Sequence, residues 1–98
     1  MAIIDIDIGT YGCAWMEWME ENNADEVQKM LRAGTYHTVA KSVDDEAMEY
    51  WELLERQYLK AYPYPNTFEE NVKYHATKNF YVEGAVMREK VLIPRTAA

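Results

Sequence analysis

Ninety-eight residues make one domain, and a chain this short buries only roughly 60–65% of the surface it exposes when unfolded, which excludes a large two-domain enzyme. Hydrophobic residues make up 49% and aromatic residues 13%, against only 4 Gly and 3 Pro, so the chain can build a core and is neither a linker nor a disordered tail. Its formal charge of −7 opposes non-specific attraction to nucleic acid or anionic lipid and favours a basic partner surface.

Residues 1–9 form a strand-like arm. Ile4, Ile6 and Ile8 alternate with Asp5 and Asp7, the period of a half-buried strand. A lone strand cannot satisfy its own backbone, so the arm is a candidate dimer edge or the partner of a second short strand at Val91–Ile93. Residues 10–61 form an acidic helical part. Tyr11, Ala14, Trp15 and Trp18 recur at helical spacing with Thr10 as N-cap, and this helix should stop at Asn22-Asn23. Ala24, Val27, Met30 and Leu31 then define a second helix, capped by Asn23 and ended by Gly34 in a left-handed conformation. Thr35 starts a further turn through Ala40. Ser42-Val43-Asp44-Asp45 reads as the cap of a long helix with Ala47, Trp51, Leu54, Tyr58 and Ala61 on its apolar stripe.

Residues 62–66 are a Pro-rich connector, since Pro63 and Pro65 end the long helix. Residues 67–93 hold the last helix and a tail. Thr67 and Glu70 read as a capping box, and Phe68, Val72, Ala76, Phe80 and Met87 as the apolar stripe, with Gly84 a place to bend or end. The fold expected is mainly α: a small helical domain of three to four helices, with the terminal β pairing as its one strand element.

Charge is unevenly spread. Residues 1–55 carry 13 acidic and 3 basic side chains, net −10, whereas residues 56–98 are net +3. Glu17, Glu20, Glu21, Asp25 and Glu26, followed by Asp44, Asp45, Glu46, Glu49, Glu52 and Glu55, are the candidate partner-binding carboxylates, with Tyr50 as an aromatic anchor off the core stripe. Tyr36, Tyr62 and Tyr64 are further candidates. Proteins that hold nucleic acid present Lys and Arg to phosphates, so a folded array of carboxylates can compete for the same groove. The plainer reading of each acidic run is a solvated helix surface.

Other chemistry has little support. His37 and His75 lack a second ligand at helical spacing, and Asp5 with Asp7 is a weak cation site, so no metal and no cofactor is expected. The lone Cys13 on a Trp-rich helix reads as a small core residue rather than a nucleophile, and no catalytic residue is assigned. Ile6-Asp7-Ile8-Gly9-Thr10 is similar to the first phosphate turn of actin-like and sugar-kinase ATPases, but that fold needs two lobes larger than this chain allows. A single cysteine, no cationic leader before an apolar run, and no stretch near the roughly 18 apolar residues of a membrane span point to a soluble, cytoplasmic protein.

Three segments carry a family resemblance: Ile8-Gly9-Thr10-Tyr11-Gly12, Leu31-Arg32-Ala33-Gly34-Thr35-Tyr36-His37, and Ser42-Val43-Asp44-Asp45-Glu46-Ala47. Their order, and the close at Met87–Ile93, resembles the small transposon-encoded TnpV proteins, with a Gly-x-Tyr-Gly start, a Leu-x-x-Gly-x-x-His turn and an Asp-Glu-x-Ala helix opening. The segment from Tyr62 to Tyr81 departs from that pattern. The resemblance implies a gene carried on a transposon, phage or similar mobile genetic element.

The function expected is that of a non-enzymatic interaction protein whose acidic face engages a basic nucleic-acid-binding protein. The most concrete partner is a CRISPR effector nuclease, as in anti-CRISPR inhibition by a nucleic-acid mimic. The competing expectation is a regulatory or accessory factor of transposition that contacts DNA through Lys60, Lys73, Lys78, Arg88, Lys90 and Arg95, although direct nucleic-acid binding fits the overall charge poorly.

Overall fold

The structure, a computed structural model, describes residues 8–95. It contains helices α1 (Thr10–Asn22), α2 (Ala24–Ala33), α3 (Tyr36–Ala61) and α4 (Phe68–Val86), and the last runs on into a π-helical turn, Met87–Val91. The molecule is mainly α, with no strand among the described residues. Of the arm expected over residues 1–9, residues 1–7 lie outside the described residues, while Ile8 is in no strand and Gly9 stands at the N-cap of α1.

α3 is the spine, and α1, α2, α4 and the π-turn all pack against it. At 26 residues it is roughly 39 Å long, which draws the molecule out to 54 × 28 × 20 Å. α1 stops at Asn23, whose amide donates to the Met19 carbonyl at 2.7 Å. Asn23 precedes α2 without a side-chain cap bond, its Nδ2 lying 3.7 Å from the Met19 sulfur instead. Gly34, at φ 74°, ends α2. Its amide reaches Leu31 O at 3.2 Å and the Thr35 amide reaches Met30 O at 2.9 Å, the paired bonds of a left-handed helix stop.

Ser42 and Asp44 do not start a helix. α3 runs unbroken from Tyr36, because the Ser42 hydroxyl donates back to Thr38 O at 3.2 Å and Asp44 serves a different helix. Pro63 and Pro65 follow the end of α3, and Thr67 Oγ1 accepts from the Glu70 amide at 3.2 Å to open α4. α4 passes through Gly84 without ending. Its last turn widens, so that the Leu92 amide bonds Met87 O at 2.7 Å, five residues back.

The core is Trp15, Met19, Val27, Met30, Tyr36, Ala40, Val43, Ala47, Val82, Val86 and Val91. Val91–Ile93 is therefore not a strand: Val91 is buried at the end of the π-turn, and Ile93 O accepts the Trp15 indole N–H at 3.1 Å. The stripe expected on α4 faces the wrong way. Phe68, Val72 and Phe80 are 83%, 54% and 85% exposed, while Lys78, Val82, Ala85 and Val86 face inward. The inward face is instead that of Val82, Ala85 and Val86, and it also holds Lys78, a charged residue that no apolar-stripe count places inside; its ammonium is met there by Glu55 at 2.8 Å, at 3.3 Å from His75 Nδ1 and 5.9 Å above the Trp51 ring. Cys13 also departs from expectation: it is exposed, with its thiol 3.7 Å from Ile8 O.

Candidate interaction surface

Asp44 is buried, 3% exposed, and its Oδ1 accepts from the amides of Tyr11 and Gly12, each at 3.1 Å. One carboxylate from the middle of α3 thus caps α1 across 32 residues of sequence, where the positive end of the helix dipole favours it. Close approach requires glycine on the α1 side. A Cβ on Gly9 would lie 2.7 Å from Asp44 Oδ2, and one on Gly12 would lie 2.7 Å from Ala40 O. This corrects the assignment of Asp44 to a partner-binding surface: the group is needed inside.

The other carboxylates divide between internal partners and solvent. On α3, Glu46 pairs with Arg95, Glu55 with buried Lys78, and Asp45 with Lys41 at 2.9 Å. Tyr50 is half-buried, its hydroxyl donating to Glu89 at 2.6 Å with Lys90 Nζ 5.1 Å from its ring centre. The hydrogen bond to Glu89, followed by loss of hydration, raises the Tyr50 pKa. Glu20 is bonded by the Tyr36 hydroxyl at 3.2 Å. Tyr36 is a core residue and not the exposed anchor expected, with its ring centre 5.7 Å from that of Trp15. Burial, and then the charge of Glu20, pushes its pKa up to about 12.

Glu17, Glu21, Asp25, Glu49 and Glu52 are exposed and make no hydrogen bond or ion pair among the described residues. At the corner between α1 and α2, Glu21, Asp25 and Glu26 line one shallow concavity with Asn22, Asn23 and Ala24. Glu26 is half-buried and 3.7 Å from Lys29. Glu49 and Glu52 lie on the outward side of α3, which they share with Arg56. The unpaired carboxylates among these candidates therefore lie on α1, on the corner and on outer α3. Cations from the rear of the chain neutralise Glu46 and Glu55.

The basic residues of the competing expectation are partly spent in the same way: Lys78 and Arg95 are ion-paired and Lys90 covers Tyr50. Two features escaped the sequence. Tyr58, Tyr62, Tyr64, Tyr74 and Tyr81 gather with His75 at the α3–α4 end, ring centres 5.0–5.9 Å apart, beside a groove lined by Leu54, Gln57, Tyr58, Ala61, Tyr62, Thr77 and Tyr81. Four-residue and seven-residue tyrosine spacings, Tyr58 to Tyr62 and Tyr74 to Tyr81, were the available signal. The second feature is the solvent-facing apolar row of α4. Among the described residues, no three His, Cys, Asp or Glu side chains form a metal-binding group, and no helix is long and apolar enough to cross a membrane.

No curated protein and no solved structure matches the chain. The family model for the transposon-encoded protein TnpV matches residues 3–92, which takes in the α1 start with Gly9 and Gly12, the Gly34 turn and the Asp44 cap. On that match, the chain belongs to the TnpV family of transposon-encoded proteins.

Proposed function

We propose that this protein is a non-enzymatic interaction factor of its mobile element, docking its acidic front onto a cationic nucleic-acid-binding surface of another protein and displacing nucleic acid from it. The observation that carries the reading is the set of exposed carboxylates without a partner among the described residues, Glu17, Glu21, Asp25, Glu49 and Glu52. Lys and Arg side chains arranged for phosphates bind such groups through the same salt-dependent attraction. A host-defence nuclease, inhibited in the manner of an anti-CRISPR protein, is the most concrete target class.

The test uses a purified, guide-loaded CRISPR effector nuclease. Expected are a complex that weakens steeply between low and high salt, inhibited cleavage, and loss of both in Glu17→Lys/Glu21→Lys/Asp25→Lys, whose substitutions lie on the surface and spare the fold. A complex insensitive to salt and to the triple variant overturns the mechanism. Salt-sensitive binding to duplex DNA in a gel shift, without nuclease inhibition, favours the transposition accessory factor instead.

A further inference from the structure

The outward face of α4 is unusual for a helix end-stop in so small a molecule. Phe68 and Phe80 are 83% and 85% exposed and Val72 54%, together roughly 400 Å² of apolar surface, the size at which a patch on a soluble protein calls for an occupant. Glu69, Lys73, Ala76, Phe80, Glu83 and Met87 follow four-three spacing along this face, the seam of a two-helix coil, while Lys78, Val82 and Ala85 point the other way into the core. Among the described residues Lys73, Glu69 and Arg88 make no ion pair, and Glu83 accepts from the Tyr11 hydroxyl at 2.6 Å.

We propose that α4 is a homodimer interface, in which two copies of the helix pack antiparallel about a two-fold axis level with Lys78. The centre of the seam is complementary to itself under that operation. Two of the three seam pairs equidistant from position 78 are opposites, Phe80 with Ala76, a large ring facing a small side chain, and Lys73 with Glu83, opposite charges; the third sets Glu69 beside Met87 at the ends of the contact. Each pairing occurs twice in the dimer. A parallel alignment sets Lys73 on Lys73 and Glu83 on Glu83, so charge selects the antiparallel register. A groove lined by Thr77, Phe80, Glu83, Gly84 and Met87 lies along the same face. The contact runs roughly 30 Å along the helix and, with its charged rim, buries about 1,200 Å² in all, the lower limit of a specific interface, so a micromolar dimer is expected. This interface stands independently of the acidic front.

Sedimentation equilibrium of the full chain across a concentration series is the test. The wild type should dimerise in the micromolar range, and Phe80→Glu should weaken the dimer by about tenfold or more while leaving helical content and melting temperature unchanged. Lys73→Glu and Glu83→Lys should each weaken it, and the double swap Lys73→Glu/Glu83→Lys should restore it, which a merely structural role for either residue does not produce. A wild type that stays monomeric into the high micromolar range overturns the proposal. So does a dimer untouched by Phe80→Glu, including one lost only when residues 1–7 are removed, which assigns the association to the N-terminal arm.

Discussion

Replacing Asp44 with Ala should be among the most damaging single changes in the chain. The substitution removes a 3% exposed carboxylate that accepts two backbone N–H bonds at 3.1 Å. Loss of a helix cap costs about 1–2 kcal/mol, and the interaction of a shielded charge with the helix dipole adds roughly 1 kcal/mol. Two amides, Tyr11 and Gly12, are also left unpaired in a site closed by Gly9 and Gly12, so about 3 kcal/mol is expected in total. Asp44→Asn keeps an accepting oxygen and loses the charge, and should cost about 1 kcal/mol. In a domain of this size each kcal/mol lowers the melting temperature by roughly 4–8 °C, giving a fall of about 12 °C or more for Ala and a third of that for Asn. Thermal unfolding followed by circular dichroism reads both, and hydrogen exchange should show faster loss of protection at Tyr11 and Gly12 than elsewhere in α1. Asp45→Ala, next door and exposed, is the control and should stay within about 0.5 kcal/mol of wild type. If Asp44→Ala melts with Asp45→Ala, the carboxylate is not holding α1.

Two glycines should separate cleanly. Gly12→Ala forces a methyl to 2.7 Å from the backbone oxygen of Ala40 and should cost about 2–3 kcal/mol, whereas Gly84→Ala meets only the mobile end of Arg88 at 3.1 Å and should be neutral or add up to about 1 kcal/mol; chemical denaturation distinguishes them. Glu55→Gln strands the Lys78 ammonium and should destabilise by about 1–2 kcal/mol, while Lys78→Met should be near neutral and Lys78→Met/Glu55→Gln no worse than Lys78→Met; a double variant as poor as Glu55→Gln alone contradicts this. The Tyr36 pKa is raised to about 12 in the fold from its ordinary value of 10.0, so the unfolded chain releases this proton first. Its contribution to stability is therefore complete below pH 10.0 and is lost as pH rises towards about 12, and urea midpoints across that range should fall less steeply in Tyr36→Phe.

Local signals were legible in the sequence where the physics was local. The Gly34 stop, the Thr67–Glu70 cap and the Pro63 and Pro65 boundary each depend on residues within a few positions, and each lies where the spacing puts it. Ser42-Val43-Asp44-Asp45 has the same local appearance as a cap, but its decisive partner is 32 residues away, and only the approach of α1 to α3 reveals which helix Asp44 serves. The α4 stripe failed for a related reason. The face that packs is that of Val82, Ala85 and Val86, and its period is masked by Lys78 among them, whose burial depends on Glu55 from another helix. The candidate carboxylates show both cases: the exposed Glu17, Glu21 and Asp25 are where their charge suggests, while Glu46 and Glu55 were matched to cations from the far end of the chain that no local pattern connects to them.

The order in which the chain leaves the ribosome gives the tail a special part. Trp15 near the start is covered in a core completed by Val82, Val86 and Val91, and its indole N–H waits for the carbonyl of Ile93. α1, α2 and α3 can coil as they emerge, but the fully buried tryptophan of the first helix has no finished surroundings until the segment from Val82 to Ile93 has followed. Translation cut short after α3 would release a fragment with an open tryptophan site and a strongly negative exterior, so the first helix is sealed only by a segment made some seventy residues after it.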